Sequence, residues 1–335
     1  MPRGAYELAL WLEADRHGRL LPAVTQANLD NQRDVVKEEK RQRYDNQPYG
    51  FALPDMYALV FPEGHPYHHP TIGSMEDLDR ASLQDVHAFF ERYYGPNNTT
   101  LTLVGDLTAE EGFAAAETYF GQLPPSAAAG RAPVPALPPL SQPLRFERRS
   151  DVPSDRLFVA FRLPVDDTDE FYAAAAALDA LAGMASSRIY RRLVRREQLA
   201  NSVQGMAWGL VDGVSLGFVS VDVADGVDPD AAEDVLCEEL ERFAEEGPTD
   251  VEMEAVMAQS ERAWLHALAA ADERADIICG HAALHGDAQH ANTFLDRLST
   301  ITSDQVRAAA AAYLQPANRA VVAYLKTETG EGDPA

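Results

Sequence analysis

Cysteine is nearly absent: Cys237 and Cys279 are the only two in 335 residues. Two cysteines make no disulfide framework, and no CxxC is present, so a thiol redox motif is excluded. Both read as small apolar residues expected to be buried. Basic residues are scarce too. Lys and Arg number 28 against 53 Asp and Glu, for a formal charge of −25. Such a surface repels nucleic acid and anionic lipid and removes both as partners. There is no run of about 18 apolar residues, so no membrane-spanning helix is expected. A P-loop, a dinucleotide-binding glycine fingerprint and a GxSxG are all missing.

The opening stretch MPRGAYELALWLEADRHGRL is not a signal peptide, because its apolar part is short and broken by Glu7 and Glu13. A soluble, cytoplasmic chain is the expectation this leaves. The stretch reads instead as an amphipathic helix with Leu8, Trp11 and Leu12 on one face. A chain that starts almost directly inside a helix is expected to have lost its beginning.

What is abundant is acid, and it is concentrated. From Asp222 to Glu254 there are fourteen Asp or Glu and one basic residue, Arg242. The simple reading is a solvated acidic face; a docking face for basic partners is the sharper one.

Residues 124–144 are dense in Pro, Ala and Ser (PPSAAAGRAPVPALPPLSQP) and cannot continue a helix or a central strand. They divide the chain into a first domain, 1–123, and a second, 145–328, followed by an acidic tail, 329–335. In the first, 28–44 is a long polar helix and 51–70 a short helix followed by the loop HPYHHP. Residues 82–94 form a helix capped by Ser82 and Asp85, and Thr108 with Glu111 opens another whose apolar face is Phe113, Ala116 and Phe120. Residues 99–104 alternate as a strand does. In the second, 157–163 is a strand, 171–181 a helix and 187–197 a strongly basic helix. Two strands then meet at Asp212-Gly213, a hairpin signal. Asp228-Pro229 opens a helix with Leu236, Leu240 and Phe243 as its buried stripe. Thr249 and Glu252 open a long helix that runs past His281.

The chain also repeats itself. SLQDVHAFFERYYGPNNTTLTLV, from Ser82, aligns with TSDQVRAAAAAYLQPANRAVVAY, from Thr302, at a constant offset of 220 positions. Val86 matches Val306, Tyr93 matches Tyr313, and Pro96 and Asn98 match Pro316 and Asn318. A helix, a Pro/Asn turn and a strand recur, which predicts two copies of one α+β domain.

Few residues carry candidate chemistry. His65, His68 and His69 crowd a loop whose two prolines explain it as a rigid turn. His281 and His285 stand i, i+4, but Ala282 sits where an H-E-x-x-H motif needs glutamate. On the helix 28–44, Leu29, Gln32, Val36, Glu39 and Arg43 share a face, and Glu38 is turned away. Glu39 to Arg43 reads locally as an i, i+4 ion pair worth about 0.2–0.5 kcal/mol.

The wider stretch RDVVKEEKRQRYDNQPYG, followed by HPYHHPTIGSMEDLDRASLQDVHAFFERYYGPNNTTLTLVGDL, closely resembles the insulinase/pitrilysin (M16) family of zinc metallopeptidases. SSRIYRRLVRREQLANSV resembles the same family's second domain. The resemblance implies an α+β fold of two homologous domains. Each is a mainly antiparallel sheet packed by helices, the first incomplete at its N-terminus. It implies zinc, held by two histidines of an inverted H-x-x-E-H motif and by a glutamate at the position of Glu39, with Gln32 in a supporting position one helical span before it. The motif's own glutamate acts in the family as general base on a zinc-bound water. No H-x-x-E-H occurs in this sequence. In the family it lies further upstream than the 38 residues that precede Glu39 here. The resemblance thus implies a metalloendopeptidase family member directed at peptides or unfolded proteins, lacking the H-x-x-E-H segment and inactive alone. The alternative is a non-catalytic, peptide-binding subunit of a two-subunit complex. Related subunits carry an Arg/Tyr pair in the second domain; Val194 and Asn201 stand at those positions. The implied partner is therefore a second subunit of the family bearing that pair.

Overall fold

Alternating apolar residues build the one sheet found among the described residues, which in this computed structural model are 2–127, 130 and 133–327. Linker positions 128, 129, 131 and 132 and the acidic tail 329–335 lie outside them. The strands are β1 (Leu144–Ser150), β2 (Arg156–Leu163), β3 (Ala200–Trp208), β4 (Ser215–Val223) and β5 (Ala320–Lys326), in the order β1-β5-β2-β4-β3. Only β1 and β5 run parallel, so the sheet is mainly antiparallel in a mixed helix-and-sheet fold.

The chain falls into two compact units. One comprises Met1–Lys40, Ile72–Ala132 and Arg262–Phe294; the other comprises Arg41–Thr71, Pro133–Glu261 and Leu295–Ala335. The sheet belongs wholly to the second. Both of its faces are covered, which explains why β2 is apolar on successive residues. Leu157, Val159 and Phe161 are fully buried on the side of the helices Asp169–Leu178, Pro229–Glu246 and Ser303–Tyr313. Phe158 and Ala160 face the helix Ala52–Val60, in a cluster with Met56, Phe61, Leu216 and Tyr324. The Asp228-Pro229 helix start and its buried stripe are as predicted, with Asp228 accepting from the Asp230 amide. Asp212 and Gly213 both take positive φ in the turn between β3 and β4. β1 escaped sequence reading because four of its seven residues are charged.

The first unit is helical among its described residues. Its cores correct several expectations. In the helix Tyr6–Ala23 the buried residues are Leu10 and Ala14, while Leu8, Trp11 and Leu12 are exposed. In Ala109–Phe120 it is Gly112 and Ala115 that are buried, and Phe113 is exposed. The helix from Thr249 stops at Ala269 and resumes at Ala271. Arg274 Nε donates to the Leu268 carbonyl there, satisfying one of the acceptors that the break frees. Both cysteines are half-buried rather than buried. No described helix is long and apolar enough to cross a membrane.

The 220-residue offset survives in local structure. Helix Leu83–Tyr93 and helix Ser303–Tyr313 each open with a reciprocal capping box, from Ser82/Asp85 and Thr302/Gln305. Each is followed by a short turn of helix, Pro96–Asn98 and Pro316–Asn318. The repeat then diverges. Residues 320–326 form β5, a central strand, but 99–104 form no strand. A strand is defined by its partner, and no described segment pairs with 99–104.

The acidic run is not simply a solvated face. Glu239 is fully buried and accepts from Arg192 at 3.1 Å and from Arg242. Glu233, also buried, accepts from Arg319 at 2.7 Å and from Arg145. Pairing of this kind offsets the cost of taking a carboxylate out of water.

Candidate functional site

The helix Gln26–Lys40 carries both residues that the family resemblance selects. Thr25 opens it, its amide donating to Asn28 Oδ1 while the Asn28 amide donates to Thr25 Oγ1. Leu29 is its buried anchor. Arg33 and Lys37, one turn apart, tie it to the helix Met75–Arg80: Arg33 Nε donates to the Leu78 carbonyl at 3.1 Å, and Lys37 pairs with Asp79 at 2.5 Å. On this anchored helix Glu39 is half-buried, whereas Glu38 and Gln32 are exposed. Seven residues at about 1.5 Å rise put Gln32 about 10 Å from Glu39 along the axis.

A π turn, Arg41–Asp45, follows, and then the DNQPYG stretch. That stretch serves architecture in the second unit. Tyr49 holds φ at +59° and its hydroxyl donates to the Ser154 carbonyl at 2.6 Å. The Arg156 guanidinium lies 4.0 Å from its ring centre. A left-handed tyrosine is strained and persists only where its surroundings hold it so firmly. Gly50 is required: a methyl there would meet the Tyr44 carbonyl oxygen at 2.1 Å. Asp55 then joins helix to sheet, accepting from Arg148 at 2.8 and 3.0 Å and from the Tyr324 hydroxyl at 2.8 Å. Burial first, and the Asp55 contact second, push the Tyr324 hydroxyl well above the ordinary phenol range and keep it a donor.

The histidine loop is structural. His65 is buried, stacked 5.3 Å from Phe61, with Nδ1 accepting from the Tyr67 amide and Nε2 facing the Pro135 carbonyl at 3.1 Å. That leaves the neutral tautomer with its proton on Nε2. His68 Nδ1 meets the Phe61 carbonyl at 2.7 Å. In the first unit, His281 and His285 have ring centres 5.6 Å apart; the tertiary structure adds His290, 6.0 and 6.4 Å from them, which spacing did not reveal. Of the Arg/Tyr positions, Val194 is half-buried in the π turn Arg191–Arg196. Asn201 is exposed at the start of β3, its amide 3.4 Å from the Val223 carbonyl.

Zinc needs three or four convergent donors. Glu39 offers one carboxylate and Gln32 only an amide. Among the described residues no group of three or more His, Cys, Asp or Glu could hold a metal ion. The donor set therefore does not fit the family's zinc.

A zinc protease of Helicobacter pylori, PqqE, is 35% identical over 92 residues, covering 28% of this chain and 20% of that protein. An uncharacterized zinc protease of Mycobacterium leprae is 30% identical over 207 residues, covering 59% of this chain and 44% of that one. The matches thus span less than half the length of either relative. The crystal structure of a protease from Helicobacter pylori superposes with a TM-score of 0.85 at 20% identity, over 97% of this chain and 77% of that one, a likeness of fold. The family described as "Peptidase M16 inactive domain" matches residues 80–260, more than half of the sequence, and the chain belongs to the peptidase M16 family.

Proposed function

We propose that this chain is the glutamate-bearing part of an M16-type zinc peptidase that acts on peptides or unfolded proteins, and that alone it does not hydrolyse them. The observation that carries this reading is the donor set: Glu39 at the ligand position, with no group of three donors among the described residues. Hydrolysis by the family's route needs a metal-bound water and a general base beside it. The same reading takes 1–123 and 145–328 as two copies of one domain. It also pairs the chain with a second family subunit carrying the Arg and Tyr that Val194 and Asn201 replace here.

The test is direct. The purified 335-residue chain, given zinc and a fluorescent unstructured peptide, is expected to retain no stoichiometric metal and to release no product. Chelator-sensitive cleavage with one zinc per chain would overturn the reading. With an H-x-x-E-H-bearing segment of a zinc-holding relative joined ahead of residue 1, Glu39→Gln is expected to abolish metal retention and Glu38→Gln to leave it unchanged. The opposite result would assign the ligand position to Glu38.

A further inference from the structure

Five arginines recur at helical spacing ahead of β3: Arg188, Arg191, Arg192, Arg195 and Arg196, at i, i+3, i+4, i+7 and i+8. Like charges so spaced repel one another. In a chain of net charge −25 the stripe is an island of the opposite sign. Four of the five, joined by Arg242 from the helix Pro229–Glu246, line one cavity of about 210 Å³ within the second unit. Arg195 leaves the group, its guanidinium 5.7 Å from the Tyr190 ring centre. Glu239, Glu246 and Glu252 share the lining, and two of these carboxylates are firmly engaged. Glu239 accepts from Arg192 and Arg242, and Glu252 accepts from Arg188 and the Thr249 amide. Arg192 also donates to Glu197 at 2.7 Å and to Glu238 at 2.5 Å, so each of its nitrogens has an acceptor. Arg191 and Arg196 differ. Arg191 comes only within 3.6 Å of Glu252, beyond hydrogen-bond distance. Arg196 is exposed and donates to no described residue. The cavity thus carries two guanidinium forks with donors to spare, above a floor where Arg188 and Glu239 are already matched.

We propose that this cavity binds a phosphoryl dianion, as inorganic phosphate or as the phosphate monoester of a small molecule, with Arg191 and Arg196 as its donors. A guanidinium fork gives two parallel hydrogen bonds to the oxygens of a carboxylate or a phosphate. One fork satisfies a carboxylate, which has only two oxygens. A phosphoryl group has a third, which gives the second fork an acceptor. Size limits the occupant as well. Sites for drug-sized ligands run to about 300–1,000 Å³, and this cavity is smaller. Charge removes the large sources of phosphate: a body of −25 repels nucleic acid and anionic membrane, whereas one small ion reaches the arginines. The inference is independent of the zinc reading, because neither Glu39 nor Gln32 lines the cavity.

The test is calorimetric titration of the 335-residue chain with inorganic phosphate and, separately, with glycerol 1-phosphate. Ionic strength is held fixed, since salt screens exposed charges. One saturable site per chain is expected. Tighter binding of the ester assigns a small-molecule source, and tighter binding of inorganic phosphate assigns the free ion. Arg191→Gln and Arg196→Gln are each expected to weaken binding by about fivefold or more, as the loss of a hydrogen bond to a charged group does. Their far-UV circular dichroism is expected to stay unchanged, because neither guanidinium donates a hydrogen bond to a described residue. Arg191→Lys keeps the charge but loses the fork, and its affinity is expected to fall between those of wild type and Arg191→Gln. Arg195→Gln, outside the cavity, is expected to bind as wild type does. No saturable heat with either probe overturns the proposal. So does wild-type affinity in both glutamine variants. An equal loss in Arg195→Gln overturns it too, since a diffuse basic surface would then hold the ion, and equal affinity for acetate would make the site one for carboxylates.

Discussion

Glu252→Ala is expected to cost about 1–3 kcal/mol of folding stability, the range for leaving buried donors without their acceptor. The reason is Arg188, whose side chain is only 5% exposed. Its Nε and Nη2 each donate to Glu252 at 2.8 Å, with Glu246 at 3.3 Å and the Gly247 carbonyl at 2.7 Å as the remaining acceptors. The same carboxylate accepts from the Thr249 amide at 2.9 Å, so the substitution also removes the side-chain half of the capping box that opens the helix Asp250–Ala269, while the Glu252 amide still donates to Thr249 Oγ1. Burial pushes the Glu252 carboxyl up. The Arg188 and Thr249 hydrogen bonds outweigh that and leave it below the ordinary glutamate value. A depressed carboxylate contributes stability above its unfolded value and loses it as pH falls through the folded one. The gap between wild type and Glu252→Ala in urea titrations is therefore expected to be full at neutral pH and to narrow below about pH 4. A constant gap across that range would show that packing, not the ion pair, is what the substitution removes.

Asp179→Asn is expected to act in the opposite sense and with the opposite pH dependence. Asp179 begins the π turn Asp179–Gly183, and burial pushes its carboxyl up to about 6. A raised acid favours the protonated fold: its contribution is present below the unfolded value near 4 and is lost as pH rises through about 6. At pH 7.5 the wild type must hold an ionised carboxylate in that site. A shift of about two units corresponds to about 2–3 kcal/mol. The neutral, nearly isosteric asparagine is expected to recover most of it and to raise the denaturation midpoint at pH 7.5. Near pH 4 the two proteins are expected to unfold alike. A variant that gains nothing at pH 7.5 would show that the carboxylate is solvated in the fold.

Local interactions could be read from the chain. The capping boxes at Ser82, Thr108 and Thr302 lie within three residues of their partners, so composition and spacing define them. The apolar alternation of β2 and β4, the Asp212-Gly213 turn and the stripe Leu236, Leu240 and Phe243 are likewise local patterns. The family motif selected Glu39, and the structure sets that residue half-buried on its helix with Glu38 exposed. The histidines 65, 68 and 69 read correctly as a rigid turn, because their prolines constrain the backbone directly.

Tertiary structure decided what depends on a distant partner. Residues 99–104 carry a strand's alternation yet pair with no described segment, while charged 144–150 became β1, because a strand exists only where another lies 4.7–4.9 Å away. Leu8, Trp11 and Leu12 looked like a buried face. Packing of the helix Tyr6–Ala23 chose Leu10 and Ala14 instead, since amphipathicity names a stripe but not the neighbour that covers it. The acidic run looked solvated because its cations are remote: Arg145 and Arg319 meet Glu233 from 88 and 86 positions away. The sequence by itself determined the helices and their caps, the apolar strands and the family. The pairings across the chain, and with them the buried carboxylates, were settled only when the sheet closed and desolvated those groups together.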